Sequence, residues 1–404
     1  MGLLPFIRAN APFLAAGALL TFCSSFGQTF LISVFAGVIR EEFGLSHGDW
    51  GLIYSVGTFA SAVVMVWAGV LTDHFRVRVL GAVVLVMLAA ACIATAAVPG
   101  AWALPFVIFA LRFAGQGMTT HIAAVAMARW FVVSRGKALS VASVGFAVGE
   151  AILPLAVVSL MDEVPWRGIW IGFAVFAVAM VPVLARLLRL ERTPQAVAAE
   201  GRAVGMNGRQ WSRRDALRHW LFWLMLPAIL APSAGSTAFF FQQVHLAETK
   251  GWSHVQLVAL FPLYTSVAVV AMLGSGWVID RVGTSRLMPV YLLPMAAGFV
   301  VIGSTGGLAM AAVGMVLMAI SQGANSTLPN AFWAEFFGTR HLGGIKAMAA
   351  AAMVLGSAIG PGLSGYLIDF GINFEDQMVW IAAYFIFAAS LVWIGVSQAR
   401  HLLP

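Results

Sequence analysis

Two ionisable side chains lie inside stretches that are otherwise apolar. Arg112 falls within the run 102–130, and Glu150 within the run 137–160. Runs of this length can cross the hydrocarbon core of a bilayer as helices. An arginine at that depth must face a cavity or a partner, because exposure to lipid is costly. Such a cation can hold an anionic solute. A buried glutamate without a partner tends to keep its proton, and so can carry one. The two runs are consecutive, so a fixed ion pair orienting two helices is the competing reading, and both stay open at this stage.

Uncharged polar groups accompany them. Gln116 follows Arg112 by about one turn, and His121 lies further along the same run, where it can relay a proton or simply be hydrogen-bonded. Gln28 in the first run, and Gln322 and Asn325 in the tenth, can orient a ligand or bond helix to helix. Gln242, Gln243 and His245 close the seventh run as a gate or entrance or as an interfacial polar end, and Tyr54 and Tyr264 could close a cavity. Pro227 and Pro232 interrupt the seventh run and Gly360-Pro361-Gly362 the eleventh, which predicts bends there. Cys23 and Cys92 have no disulfide or metal-type spacing. The 18 methionines are scattered, which fits core filling better than a metal pathway. No cofactor motif is present, and the absence of a phosphate-binding Gly-x-x-x-x-Gly-Lys-Ser/Thr loop argues against direct ATP hydrolysis.

The elements that must position these groups repeat at half length. Gly69-Val-Leu-Thr-Asp73-His-Phe-Arg76-Val-Arg78 returns as Gly276-Trp-Val-Ile-Asp280-Arg281-Val-Gly283-Thr-Ser-Arg286, an offset of 207 residues in a chain of 404. Gln116-Gly117 returns as Gln322-Gly323. Asp73 and Asp280 each end an apolar run, where a carboxylate can cap the N-terminus of a neighbouring helix. A membrane protein built from two similar halves is expected to be a transporter.

Composition agrees with a bilayer location. The chain is 61% hydrophobic and 10% charged, which a soluble domain of this size could not hide. Twelve spans are predicted, at 11–39, 48–72, 77–98, 102–130, 137–160, 167–188, 218–246, 254–279, 286–305, 308–334, 343–369 and 377–398. The domains follow as 1–188, a cytoplasmic linker 189–217 and 218–404. The first run is read as a retained helix rather than a cleaved signal. With the N-terminus inside, 19 of the 23 Lys and Arg residues fall inside and three outside. That bias places both termini in the cytoplasm of a cell inner (plasma) membrane. It also accounts for the net charge of +7 without any nucleic-acid partner.

These motifs resemble those of the major facilitator superfamily over essentially the whole chain. The second loop copy, Gly276, Asp280, Arg281, Gly283 and Arg286, matches the family's G-x-x-x-D-R-x-G-R-R pattern well. The first, Gly69, Asp73 and Arg78, departs at His74 and Arg76. Arg112-Phe-Ala-Gly115-Gln116-Gly117 resembles the family's R-x-x-x-G motif. Gly145 and Gly149, and Gly356, Gly360 and Pro361, are similar to its G-x-x-x-G-P motif. Trp130-Phe131 with Arg135-Gly136-Lys137-Ala138 resembles bacterial relatives of monocarboxylate and oxalate/formate transporters, although spans 8 and 11 lack their mid-depth basic residues. The resemblance implies an all-α integral membrane protein of two pseudo-symmetric six-helix bundles, acting as a monomer. It implies that Asp73, with Arg78 and Arg129, faces the start of span 11 and that Asp280 faces span 5, as latches. The expected function is secondary transport by alternating access, driven by protons, of a small organic anion such as a monocarboxylate. The alternatives are export of amphipathic compounds, metal-ion uptake and a non-transporting receptor.

Overall fold

A chain inside hydrocarbon must satisfy its backbone hydrogen bonds internally, and this chain does so with helices. The computed structural model describes residues 3–69, 71–131, 135–189, 204–338 and 342–403, and no strand occurs among them. The chain divides into two compact units, Met1–Ala199 and Glu200–Pro404. The first holds α1 (Leu3–Cys23), α2 (His47–Ala68), α3 (Val77–Ala96), α4 (Leu104–Leu111, continuing through Arg112–Thr119 to Thr120–Trp130), α5 (Arg135–Leu160) and α6 (Trp166–Leu187). The second holds α7 (Trp220–Phe241), α8 (Phe261–Val282), α9 (Leu293–Ser304), α10 (Leu308–Phe337), α11 (Leu342–Asp369) and α12 (Phe374–Ala399). Ten of the twelve lie in segments long and apolar enough to span a membrane among the described residues. The others are α2, a 22-residue helix, and the 12-residue α9. At about 1.5 Å per residue α9 alone falls short of a bilayer core of about 30 Å. It is preceded by a short helix, Thr284–Leu287, and turns.

Inside each unit the helices pair in the same way. α1 packs on α5, α2 on α4 and α3 on α6; α7 packs on α11, α8 on α10 and α9 on α12. Glycines set the closest approaches. A methyl group added at Gly145 would meet the Ala18 carbonyl, and one at Gly149 would meet Ser25 Oγ. In the second unit Gly356 faces the Leu230 carbonyl and Gly360 the Ala234 carbonyl. A hydroxyl completes each seam: Thr21 donates to the Ala142 carbonyl and Ser233 to that of Met353. The repeated Gln-Gly pair serves the second interface. Gly117 leaves room for Met65 of α2, and Gly323 for Ala268 and Met272 of α8.

Several expected boundaries change. Span 1 is not one helix over 11–39. α1 starts at Leu3 and gives way to a 3-10 turn, Ser24–Gly27, an extended Gln28 (φ −88°, ψ 150°), a single turn Thr29–Ile32, a second 3-10 turn and a helix Ala36–Phe43. The prolines do not interrupt their helices: α7 is continuous through Pro227 and Pro232, and α11 through Pro361. The part of the expected linker from 204 to 217 is folded into the second unit. Trp211 donates its backbone N–H to the Phe337 carbonyl and its indole to that of Met206. Ser212 and Asp215 form a reciprocal cap on the helix Arg213–Arg218, and these bonds hold the Asp215 carboxyl below its usual range. Residues 190–203 of that linker lie outside the described residues.

The end of each unit that carries the acidic loops is fastened by a charged staple. Arg167, at the start of α6, donates to the Ala96 and Val98 carbonyls at the end of α3 (2.6 and 3.1 Å) and pairs with Glu42 at 2.5 Å. Trp166 also donates to Glu42, at 2.8 Å. Lys250 donates to the Gly303 carbonyl near the end of α9 at 2.7 Å and pairs with Glu375 of α12 at 2.7 Å. A cation at a helix C-terminus complements its free carbonyls and dipole.

The hydrogen bond from Arg167, aided by that from Trp166, holds the Glu42 carboxyl below its ordinary value. The pair's stabilisation is therefore fully present above the unfolded glutamate value of about 4.3. It is lost as pH falls through the lower folded value. Because the side chains are 32% and 38% exposed, the pair should contribute no more than about 1 kcal/mol. Thermal unfolding of detergent-purified protein from pH 7 to pH 3 should show Glu42→Gln less stable at pH 7, with the gap to wild type closing below about pH 4. A gap that stays constant with pH would refute the assignment. Gly145→Leu should cost at least the ~1–3 kcal/mol typical of overpacking, or abolish folding, whereas Gly172→Leu, at a position open to its surroundings, should be neutral in the same assay.

Candidate functional site

The site is built on the break in α1. The turn Ser24–Gly27 and the extended Gln28 remove backbone carbonyls from the helical ladder. The turn combines two serines with a glycine, residue types that accompany helix kinks. Facing the break, α4 changes its own winding. Residues Arg112–Thr119 form a π-helix, a geometry that is frequent at functional sites. The two irregular segments touch backbone to backbone. A methyl group at Gly115 would lie 2.7 Å from Gly27 Cα, and one at Gly27 would lie 2.1 Å from the Leu111 carbonyl oxygen.

Arg112 is the first residue of the π-helix and is 2% exposed. Its Nη1 donates to the Gly27 carbonyl and to Thr29 Oγ1, both at 3.2 Å. Its guanidinium carbon stands 5.4 Å from the centre of the Tyr54 ring, within cation–π range. The Tyr54 hydroxyl and Thr29 Oγ1 are 2.6 Å apart. Arg112 Nε is buried without a hydrogen-bond partner. Among the described residues the hydrogen bonds of Arg112 run to neutral groups. A guanidinium bonded only to neutral groups retains its charge, and that charge can attract an anion.

Glu150 is buried on α5, one residue beyond Gly149, which abuts Ser25 of the same break. Arg112 and the backbone next to Glu150 thus reach the α1 break from α4 and α5. Gln28 is buried within the break, and Gln116 is half-buried in the π-helix. His121 Nε2 lies 3.2 Å from the Gly69 carbonyl, so it is tied to the end of α2. Thr29 and Gly27 are the residues that sequence reading missed. Ser24-Ser25-Phe26-Gly27 was the signal for the break, and Thr29 lies two residues beyond Gly27.

In the second unit the polar residues are more dispersed. Gln242 donates to Ser364 Oγ at 3.0 Å. Gln322 Oε1 is 3.5 Å from Ser236 Oγ, and Asn325 is half-buried on α10. Tyr264 is buried with its ring 5.4 Å from that of Phe240.

The expected latches are resolved unevenly. Gly69 ends α2, and its carbonyl also accepts the Thr72 hydroxyl. Gly276 lies within α8, where an added methyl group would meet nothing. Arg78, Arg281 and Arg286 are exposed. The side chains of Asp73, Arg129 and Asp280 lie outside the described residues. The departure of the first motif copy has a backbone reason. Gly283 ends α8 at φ +80°, a conformation that favours glycine. Arg76, at the corresponding place, is extended at φ −67° and ψ 142°, which any residue adopts.

Comparison with known proteins places this architecture. The family model for the Major Facilitator Superfamily matches residues 17–309 and 263–402. An uncharacterized 38 kDa protein in the 23S RNA operon of Thermoproteus tenax is 25% identical over 362 residues, 90% of each chain. The glycerol-3-phosphate transporter of Bacillus subtilis (strain 168) is 23% identical over 296 residues, 66% of this chain and 65% of that one. Among solved structures, a bacterial homolog of the human lysosomal transporter Spinster superposes with a TM-score of 0.76 in its inward-facing, unoccupied conformation, at 14% identity over 98% of both chains. The occupied inward-facing form gives 0.74 at 15% identity over 97% of both. With nearly its whole length matched by the family, the chain belongs to the Major Facilitator Superfamily and is a multi-pass membrane transporter, not an enzyme.

Proposed function

We propose that this transporter moves a small organic anion, such as a monocarboxylate, by alternating access in symport with protons, across a cell inner membrane with both termini cytoplasmic. The observation that carries the reading is Arg112: a buried guanidinium in a spanning helix, bonded only to neutral groups. An anion arriving there gains a charge-assisted hydrogen bond in a poorly screened setting, which is stronger than the same bond in water. The relative from Bacillus subtilis is a glycerol-3-phosphate transporter, and glycerol 3-phosphate is itself an organic anion. The proton is assigned to Glu150, buried beside the α1 break that Arg112 grips. Protonation there and anion arrival at Arg112 would bear on one irregular segment, which gives the two events a shared element to bias.

A second reading rests on the Gly27 carbonyl bond. Arg112 would then be a clamp that stabilises the break and never meets solute. The readings separate by experiment. Purified protein is heated with a series of carboxylates, and stabilisation reports binding to the folded state, about 2.7 kcal/mol at 100 times Kd. Carboxylates should stabilise wild type and Thr29→Val but not Arg112→Ala. If Thr29→Val loses the response together with Arg112→Ala, the clamp is the better account. If only lipophilic compounds stabilise, and Arg112→Ala responds like wild type, the anion reading fails in favour of amphipath export.

Coupling is tested in proteoliposomes. Glu150→Gln should retain solute exchange at zero gradient but lose pH-gradient-driven accumulation by about tenfold or more, equivalent to at least ~1.4 kcal/mol of coupling. Full gradient-driven accumulation by the mutant would remove Glu150 from the proton path.

A further inference from the structure

Away from the Arg112 site, the second unit contains a cavity of about 490 Å³ enclosed by α7, α11 and α12. Its floor follows from sequence. Ala231, Ala234, Gly235 and Ala238 recur at helical spacing on one face of α7, so four small side chains stand where bulky ones would fill the space. Gly235 is held small by the Phe385 ring, which an added methyl group would approach to 2.8 Å. The rim carries Ile359, Leu363 and Trp380, exposed by 47%, 56% and 75%. Along α12 the exposed face continues through Val379, Ile386, Phe387, Trp393 and Ile394. On a spanning helix such a face is bathed in lipid chains, so the cavity is a recess of the lipid-facing surface.

Among the described residues no charged side chain lines the recess. Its polar members are already bonded within the protein. Gln377 donates to the Ser364 and Ile372 carbonyls at 3.1 and 2.9 Å. Ser364 donates to the Pro361 carbonyl and accepts from Gln242. The Tyr384 hydroxyl donates to the Pro227 carbonyl at 3.3 Å. A polar or ionic solute would therefore lose its hydration without compensation, whereas an alkyl chain loses nothing by entering. The volume falls in the ~300–1,000 Å³ range of small-molecule sites. We infer that this recess is a lipid site that seats one acyl chain of a membrane phospholipid, entering from the bilayer over Leu363 and Trp380.

The probe is a phosphatidylcholine with a diazirine in one acyl chain, reconstituted with the full-length protein. Peptides spanning 359–367 and 377–385 should be cross-linked, and excess unlabelled lipid should suppress that labelling at least fivefold. Ala234→Phe fills the floor and Leu363→Trp covers the rim; each should reduce the saturable labelling at least fivefold. Val379→Phe, on the exposed face but outside the lining, should leave it unchanged. Leu363→Trp changes only an exposed position, so it decides the matter if Ala234→Phe does not fold. Labelling spread over all exposed apolar helices without saturation, or undiminished in the filled and covered variants, overturns the site. None of these variants touches Arg112 or Glu150, so the outcome is independent of the proposed solute.

Discussion

A guanidinium removed from water has to be resolvated by the protein, and the first unit is arranged around that demand. The penalty for burying an uncompensated ion is several kcal/mol. A regular helix cannot relieve it, because its carbonyls are already bonded along the ladder. The break in α1 frees one, that of Gly27, and restarts the helix with Thr29, whose hydroxyl supplies a second acceptor. Tyr54 adds the face of its ring. Bringing the break within reach of Arg112 in turn requires backbone contact between α1 and α4, which is why glycine occupies both Gly27 and Gly115. The π-helix begins at the arginine itself, so the irregularities of both helices meet at one side chain.

The second unit serves as an internal control. The offset that relates Gln116-Gly117 to Gln322-Gly323 carries Arg112 onto Met318, which is fully buried. There the charge is absent, and so are the distortions: α7 runs unbroken from Trp220 to Phe241, and α10 from Leu308 to Phe337. The glycine seams between the first and fifth helices of each unit are retained regardless. Close helix packing therefore belongs to the architecture, while the break and the π-helix accompany the ion.

This division explains what the sequence disclosed. Membrane location, two halves and the helix order were legible because apolar run length and an internal repeat report them directly. Arg112 and Glu150 stood out because charge in such runs is rare. The break in α1 was not anticipated, because attention fell on proline. Pro227, Pro232 and Pro361 proved compatible with continuous helices, whose neighbours can satisfy a freed carbonyl, as Tyr291 does for that of Ala228, four residues before Pro232. The partners of Arg112 were hidden for a different reason. Gly27 and Thr29 stand more than 80 residues away in sequence, and neither residue type signals a cation partner. The folded part of the linker was missed because its stability comes from docking Trp211 on α10, a tertiary contact that local polarity conceals.

The charged staples carry the comparison of the two units one step further. In each, a cation satisfies carbonyls at the end of the third helix, α3 or α9, and an acid fixes the cation. The polarity of the bond is reversed. In the first unit the base comes from the start of α6 and the acid from the end of the first span; in the second the base follows α7 and the acid opens α12. Residue-by-residue comparison of the halves at the offset of 207 therefore finds a mismatch at both positions, Glu42 against Thr249 and Arg167 against Phe374. The physical requirement is nonetheless the same, since the helix C-terminus calls for a positive charge and is indifferent to which neighbour supplies it. A repeat in a helical membrane protein can thus preserve an interaction while exchanging the residues that make it. Motif matching finds the loop copies, where the same residue types recur, and misses the staples, where only the electrostatics recurs.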